Sequence, residues 1–402
     1  MFTALDSLIC YGNSLTHLNV SQNIGLTHLS CGYNQLASLD VTQNLGLNHL
    51  SCLDNQLTSL DVTQNIGLTH LSCGYNPLTS LDVTQNIALI YLDCWWNELT
   101  NLNITQNTGL KYLDCGSNQL TDLDVTQNIV LFNLICSNNP LTDLDVTQNS
   151  ELSVLFCSNN LLTDLDINTE LKYLYCENNL LTNVDITQTA GLKELYCENN
   201  LLIDLDVTQN SDLQILSISN NQLITLDVSQ NSDLRILSIS NNQLTTLHLS
   251  QNSDLRGLYC NGNQLNCLNI KNGNHTNVYF VSILNNPNLT CIEVDNVNYS
   301  TNQWTDVDAI ASFSTNCNNS CSSSLVNITE NKLSNHSIFP NPSVTGLIKT
   351  NTDITRSIIK VYSIDGNQIN FTKINNSIDI SKSDKGVYLI SIDGLVLKYV
   401  YQ

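Results

Sequence analysis

The residues of this chain that are most capable of chemistry recur at a fixed interval. His28, His49 and His70 are 21 positions apart, and Asp93 and Asp114 have the same separation. Imidazoles and carboxylates are common catalytic groups and metal ligands. A constant interval is typical of side chains that repeat along a surface, and parallel neighbours of this kind do not converge on one ion. We therefore expect a solvated histidine row without a metal, and we interpret the two carboxylates as repeat variation.

Sequence motifs of known catalytic sites are missing from the chain. The sequence has no GxSxG, HExxH or phosphate-binding loop, and no paired carboxylates outside the repeat register. We therefore predict that the protein is not an enzyme and that it binds no cofactor and no metal.

The elements that must position these residues are copies of one unit. The unit reads LxxLxCxxNxLxxLDVTQNxx; it starts first at Leu5, then in twelve further copies down to Leu255, and a divergent copy starts near Val278. Alternation at Leu29–Cys31 predicts a short strand, and Asn34 predicts the turn that follows it. One coil cannot bury its leucines alone, so successive copies must stack.

Each repeat also contains an internal similarity. LTHLSCGYN at 26–34 and LASLDVTQN at 36–44 share one template, which predicts a second extended segment around Leu39–Val41 on the opposite side. A coil of 21 residues leaves little room for a helix. The predicted fold class is mainly β: a solenoid of 13–14 coils, followed by a small C-terminal β-sandwich.

The frame LxxLx[LC]xxNxL resembles the leucine-rich-repeat signature over residues 5–294. This resemblance implies a solenoid that presents one strand per coil on a continuous surface. Aromatic residues concentrate at the solvent-facing positions of repeats 5–9, where they offer large contact area at low entropic cost. They form our candidate ligand-binding set: Tyr91, Trp95, Trp96, Tyr112, Phe156, Tyr173, Tyr175 and Tyr196. The expected ligand is a protein or a glycan; the alternative is a structural surface-layer or spacer protein, whose aromatic rows only stabilise strand stacking.

Two further columns of repeated residues have competing interpretations. The aspartates of LDVTQN, such as Asp40 and Asp61, repel one another at strand spacing by about 1 kcal/mol, so either Asx-type hydrogen bonds or ordered cations such as calcium must offset the repulsion. Eleven of the fifteen cysteines occupy one repeat position, which Ile218 and Ile239 fill in two copies. We favour the Asx bonds for the first column and free buried thiols for the second.

Charge and hydropathy narrow the classes of partner. The net charge is −22, and residues 1–300 contain 28 acidic and 6 basic side chains. Nucleic acid is therefore not an expected partner, because phosphate binding needs Lys and Arg. No apolar run approaches the roughly 20 residues of a membrane span. Residues 1–6 enter the repeat without a signal peptide, from which we expect a truncated start.

Residues 295–321 read as a C-terminal cap of the array. Trp304, Ile310 and Phe313 are expected to cover the apolar end of the last coil. A disulfide between Cys291 and Cys317 would fit an oxidising compartment, while other pairings with Cys267 and Cys321 stay open. The predicted organisation is a solenoid at 1–294, this cap, a Ser/Asn-rich linker at 322–336, and a separate domain at 337–402.

The last segment resembles the type A C-terminal sorting domain of the type IX secretion system of Bacteroidetes. The matching residues follow the order of that domain: Pro340, Asn341, Pro342, Gly346, Gly366, Gly386, Val387 and Tyr388. The resemblance implies recognition by the type IX secretion machinery as a partner. It also implies that the mature protein is secreted or lies on the outer cell surface.

Overall fold

The computed structural model describes residues 5–167, 171–317, 338–339, 347–350, 359–363, 369–374, 377–383, 385–392 and 395–401. The chain divides into two units, Met1–Ser322 and Ser323–Gln402.

The first unit contains one long parallel sheet, here called the main sheet, to which each coil contributes a three-residue strand. Its fourteen strands are β1 Ser7–Ile9, β2 His28–Ser30, β3 His49–Ser51, β4 His70–Ser72, β5 Tyr91–Asp93, β6 Tyr112–Asp114, β7 Asn133–Ile135, β8 Val154–Phe156, β9 Tyr173–Tyr175, β10 Glu194–Tyr196, β11 Ile215–Ser217, β12 Ile236–Ser238, β14 Gly257–Tyr259 and β16 Phe280–Ser282. The register places His28 beside His49 and His49 beside His70. The predicted β-solenoid of 21-residue coils is confirmed.

Leucine side chains fill the interior of every coil. In the second coil Leu26, Leu29, Cys31 and Leu36 are buried, and the same positions are buried in the following coils. Burial of one leucine side chain contributes about 2 kcal/mol. Because a single coil buries its leucines only against its neighbours, these contributions depend on stacking.

An asparagine column closes the turn after each strand. Asn34 Nδ2 donates to the Cys31 carbonyl oxygen of its own coil and to the Cys10 carbonyl oxygen of the preceding coil, both at 3.0 Å. Its Oδ1 accepts from the Leu15 backbone N–H at 3.0 Å. The residue before it, Tyr33, has a φ of 53°, in the sparsely populated left-handed region. The asparagine bonds hold the turn in this conformation.

The second extended segment is a strand only near the C-terminal end of the array. There a four-stranded parallel sheet contains β13 Thr246–His248, β15 Cys267–Asn269, β17 Cys291–Glu293 and β18 Ser312–Ser314. In the described coils before Thr246 the corresponding residues, Leu39–Val41 in the second coil, do not form a strand. The Thr42 N–H donates to Asp40 Oδ1 at 3.0 Å, and after β15 the Lys271 N–H donates in the same way to Asn269 Oδ1 at 2.9 Å.

The C-terminal end of the array is covered by a short cap. A 3-10 turn at His275–Asn277 precedes β16, and helix α1 spans Val297–Gln303. Trp304 follows α1, is buried, and donates from Nε1 to the Val278 carbonyl oxygen at 3.0 Å. Its ring centroid lies 5.9 Å from that of Phe313.

One expected cap residue lies elsewhere. Ile310 is 56% exposed, so the expectation that it covers the last coil is wrong. It sits in a turn that the Ala311 N–H closes onto the Asp308 carbonyl oxygen at 2.9 Å, which directs Ile310 away from the core. A disulfide joins Cys291 to Cys317, with Cα atoms 5.8 Å apart.

The described residues of the second unit contain seven strands: β19 Ile338–Phe339, β20 Leu347–Thr350, β21 Ile359–Ser363, β22 Thr372–Ile374, β23 Ser377–Asp379, β24 Gly386–Ile392 and β25 Leu395–Tyr401. They form two antiparallel sheets, one with the order β19-β20-β23-β22 and the other with the order β21-β24-β25. Ile348 and Ile378 from the first sheet share a buried cluster with Val361, Tyr388 and Ile390 from the second. This is the packing of a small β-sandwich.

Candidate functional site

The outer face of the main sheet carries two columns of side chains. In each strand from β3 to β10 the central residue is buried, and the first and third residues are half-buried on the outer face. The first column runs through His28, His49, His70, Tyr91, Tyr112, Asn133, Val154, Tyr173 and Glu194, and the third-residue column through Ser30, Ser51, Ser72, Asp93, Asp114, Ile135, Phe156, Tyr175 and Tyr196. Neighbours within a column lie one strand spacing apart, about 4.8 Å.

Six of the eight predicted binding residues lie on these strands. Tyr91 and Tyr112 are stacked in the first column, with ring centroids 4.5 Å apart and planes at 7°. Phe156, Tyr175 and Tyr196 form a row in the other column, with centroid distances of 4.3 Å and 4.6 Å.

The two ring groups are not continuous. Strand β7, which carries Asn133 and Ile135, lies between them. Tyr173 lies on β9 between Val154 and Glu194. The predicted stripe is therefore divided on the sheet.

Trp95 and Trp96 belong to a third group, in the turn after β5. Trp96 is 52% exposed with a φ of 53°, and its ring stacks on Tyr75 at a centroid distance of 5.2 Å. A groove of about 270 Å³ runs beside them, lined by Tyr75, Pro77, Trp96 and Glu98. Tyr75 is not among the residues predicted from the sequence, although it occupies the repeat position of Trp96 one coil earlier.

Carboxylate side chains lie next to the aromatic groups of the main sheet. None of the fourteen strands of the main sheet contains Lys or Arg. Burial raises the pKa of Asp93, and burial together with Asp93 raises the pKa of Asp114 to about 6. Ser72 Oγ donates to Asp93 Oδ2 at 2.9 Å, and Tyr175 OH donates to Glu194 Oε2 at 2.6 Å. Burial also raises the pKa of Glu198. The surface combines aromatic faces with hydrogen-bond acceptors.

The aspartate column has internal hydrogen-bond partners. Asp40 Oδ1 accepts from Thr42 Oγ1 at 2.7 Å and from the Thr42 N–H at 3.0 Å, and Asp61 does the same with Thr63. These bonds lower the pKa of both carboxyl groups. They are the Asx-type bonds expected from the sequence. In the part of the chain that the structure describes, no group of three or more His, Cys, Asp or Glu side chains is arranged to hold a metal.

The cysteine column lies in the core. Burial raises the pKa of the Cys31 thiol to about 12 and that of Cys115 well above its ordinary value. The Sγ atoms of Cys176 and Cys197, at the same position of adjacent coils, are in contact, and their Cα atoms lie 5.0 Å apart.

Three of the predicted sorting residues fall on a described strand. Gly386, Val387 and Tyr388 begin β24, and the Tyr388 side chain is buried in the sandwich core. Pro340, Asn341, Pro342, Gly346 and Gly366 lie outside the described residues. No helix in the described part of the chain has the length and apolarity needed to cross a bilayer.

Comparison with known proteins agrees with both units. Residues 337–400 match the secretion system C-terminal sorting domain family. A solved structure of the functional domain of InlJ from Listeria monocytogenes, which includes a cysteine ladder, is 30% identical with a TM-score of 0.67; the match covers 100% of this chain and 86% of that one. Comparison with curated proteins gave no match.

Two further structures share the solenoid. A leucine-rich-repeat protein of Leptospira interrogans is 25% identical with a TM-score of 0.61, and the match covers 78% of this chain and 90% of that one. The internalin InlF of Listeria monocytogenes is 18% identical with a TM-score of 0.56 (76% and 86% covered), a likeness of fold alone.

Fold, repeat and tail together define a leucine-rich-repeat protein that carries a type IX secretion sorting domain and is secreted or attached to the cell surface. More particularly, the chain belongs to the leucine-rich-repeat family of InlJ.

Proposed function

We propose that the protein is a recognition or adhesion module, which binds a protein or a glycan through the outer face of the main sheet. The observation that carries the proposal is the set of three aromatic groups, Tyr91 with Tyr112, Phe156 with Tyr175 and Tyr196, and Trp95 with Trp96, on one exported solenoid. Rings that are partly exposed and held in place by their neighbours offer contact area with little loss of conformational entropy on binding. Tyr173, on the same face, completes the proposed binding set.

We further propose that the protein acts by binding and has no catalytic activity. Leucine-rich-repeat solenoids are typically interaction scaffolds. The carboxylates with raised pKa, Asp93 and Asp114, are adjacent copies of one repeat position and accept hydrogen bonds from the chain itself. They are therefore explained by the repeat.

The proposal is tested by a binding screen of the full chain against arrays of glycans and of extracellular proteins. The variant Trp95→Ala/Trp96→Ala/Tyr175→Ala touches two of the three groups. A matched control, Ile66→Ala/Ile87→Ala, removes two exposed apolar side chains outside the main sheet. Saturable binding that the first variant loses and the control retains would support recognition by the rings.

The alternative function is a spacer or surface-layer component without a specific ligand. The observation that favours it is that the rings stack on each other along the strands, which by itself stabilises the array. A folded wild-type chain that binds nothing in the screen, together with a lower unfolding midpoint in the ring variant, would favour this alternative.

A further inference from the structure

The N-terminal part of the main sheet holds a groove outside the three aromatic groups proposed above, apart from Tyr91 at its edge. Its volume is about 310 Å³, and its walls and floor come from β1–β5, with His28, His49 and His70 along its length. The three imidazoles are stacked, with centroid distances of 4.5 Å and 4.3 Å and planes within 16°. We call this surface the histidine groove.

Nδ1 of the first and third imidazoles is hydrogen-bonded within the chain. Thr69 Oγ1 lies 3.0 Å from His70 Nδ1 and 3.0 Å from the Asn48 carbonyl oxygen. Thr27 Oγ1 is placed in the same way between His28 Nδ1 and the Asp6 carbonyl oxygen. With Nδ1 bonded to the chain, Nε2 is the ring nitrogen left for a ligand.

The central imidazole is bonded to an amide oxygen. His49 Nδ1 lies 2.7 Å from Asn48 Oδ1, an oxygen that can only accept, so Nδ1 is the donor and Nε2 is an acceptor. Within the described residues, no side chain or backbone group of the chain bonds to Nε2 of these three histidines. The row therefore has three Nε2 atoms that a ligand can hydrogen-bond.

The row is not arranged for a metal ion. Two imidazole nitrogens on one tetrahedral zinc lie about 3.4 Å apart and point toward the ion. Here the rings lie face to face at 4.3–4.5 Å, so their nitrogens point in parallel directions.

The row is also poorly matched to an extended peptide. The N–H groups on one edge of a β-strand repeat every two residues, about 6.8 Å. The imidazoles repeat at 4.3–4.5 Å. A ligand with closely spaced donors of adjustable direction, such as sugar hydroxyls, fits the row better. The remaining lining, including Ile9, Leu29 and Leu50, is uncharged and offers an apolar surface to the C–H groups of a sugar ring.

We propose that the histidine groove is a second binding site, which takes a neutral oligosaccharide whose hydroxyl groups, as donors or acceptors, hydrogen-bond to Nε2 of His28, His49 and His70. This inference rests on the proposed function only in that both surfaces belong to an exported binding protein. The histidine groove and the ring group around Tyr175 lie on different coils, so each can fail without the other.

Acid should weaken the proposed binding. Protonation of His49 turns its Nε2 from an acceptor into a donor and places a positive charge within the row of rings. Burial and the neighbouring His70 and His28 lower the pKa of His49. The other titratable side chains on β1–β5 are Tyr91 and Asp93, and Asp6 lies beside β1; Asp93 accepts from Ser72. Oligosaccharide affinity is expected to fall as the pH drops through the lowered pKa of His49.

The test uses the full chain on an array of neutral oligomers of glucose, mannose, galactose and N-acetylglucosamine, at pH 7.5 and 5.5. The variant His28→Phe/His49→Phe/His70→Phe keeps stacked rings and removes Nε2; His49→Gln retains a side-chain acceptor, and Tyr175→Ala reports on the separate ring group. We expect saturable wild-type binding at pH 7.5, a loss of about tenfold or more in the Phe variant and at pH 5.5, and little change in the other two.

Three results would overturn the inference. The first is a wild-type chain that binds no neutral oligomer at pH 7.5, or that binds only polypeptides through this groove. The second is a Phe variant that is folded by circular dichroism and binds the same oligomer within about twofold of wild type. The third is binding that Tyr175→Ala abolishes and the Phe variant retains, which would assign the sugar to the ring group and leave the proposed function intact.

Discussion

Asn118 connects its coil to the preceding one by a hydrogen bond to the backbone of Cys94. Asn118 Nδ2 donates to the Cys94 carbonyl oxygen, 24 residues earlier, at 3.0 Å. Its Oδ1 accepts from the Leu99 N–H at 3.0 Å, and Nδ2 also bonds to the Cys115 carbonyl oxygen in its own turn. All of these groups are buried, so the side chain satisfies backbone atoms that water cannot reach.

Replacing this asparagine should cost more than replacing its neighbour. Asn118→Ala leaves the buried Leu99 N–H without a partner, whereas the Cys94 and Cys115 carbonyl oxygens still accept from Asn97 and Asn139. We expect the free energy of unfolding to fall by about 1–3 kcal/mol. Gln119 is exposed, and Gln119→Ala should change it by less than about 0.5 kcal/mol. Urea unfolding followed by circular dichroism measures both. Equal midpoints for the two variants would refute the assigned role of the asparagine column.

Two aspartates should respond to pH in opposite directions. The pKa of Asp114 is raised to about 6, above the ordinary value of about 3.9, so the folded state binds more protons between these values and its stability falls as the pH rises. Asp114→Asn removes this loss and keeps an acceptor for the Gly116 N–H. We expect it to stabilise the chain by about 1–3 kcal/mol at pH 7.5, and by nothing measurable near pH 4.

The matched variant lies in the other acidic column. Bonds from Thr126 lower the pKa of Asp124, so this carboxyl contributes stability above the unfolded pKa and loses it as the pH falls through the folded pKa. Asp124→Asn should therefore destabilise the chain at pH 7.5. Thermal unfolding at pH 4 and 7.5 measures both signs, and a stabilising Asp124→Asn would contradict the account.

The buried thiols should resist alkylation while the chain is folded. Thiolate is the reactive form, and burial raises the pKa of Cys52, Cys73 and Cys115 well above the ordinary range. Cys10, at the first coil, is only partly buried. With iodoacetamide and mass spectrometry we expect Cys10 to be labelled first, and the three others only after denaturation. Rapid labelling of Cys115 in the native chain would show that the column is accessible.

The tail should direct export through its folded sandwich. Tyr388 is buried there, and Tyr388→Ala should destabilise this unit by about 3–5 kcal/mol. Residues 337–402 fused to a fluorescent protein in a bacterium with a type IX secretion system should be found outside the cell, and the Tyr388→Ala fusion should be found there less. Retention of the unmodified fusion inside the cell would contradict the assignment of this tail.

The repeat made it possible to predict the solenoid and also which residues of successive coils lie next to each other. The 21-residue interval alone gives the partners His28 and His49, because stacked coils of equal length must align equal positions. It also places Leu29 inside and Asn34 in the turn. The internal similarity also predicted the second extended segment, but it did not show which coils form a strand there. The apolar pattern is the same in both kinds of coil, and the same Asx bond occurs at Asp40, outside any strand, and at Asn269 in β15.

The contacts between neighbouring side chains could not be predicted from the sequence pattern. The contact between the Cys176 and Cys197 sulfur atoms depends on side-chain direction in two particular coils, while the repeat describes only an average coil. The aromatic residues were found, but their division depends on which column each occupies and on the turn that carries Trp95 and Trp96. The histidine row was visible as a row, whereas the hydrogen bonds of its Nδ1 atoms to Thr27, Asn48 and Thr69 follow only from the structure.

Recognition by the outer face is tested most directly by measuring the dissociation constants of four variants for the ligand that the binding screen identifies. Tyr112→Ala, Tyr175→Ala and Trp96→Ala each probe one aromatic group, and Ile87→Ala probes an exposed apolar residue outside the main sheet. The account predicts that at least one ring variant weakens binding by about tenfold or more, and that Ile87→Ala stays within about twofold of wild type. Four affinities that all equal the wild-type value, or a loss confined to Ile87→Ala, would contradict it.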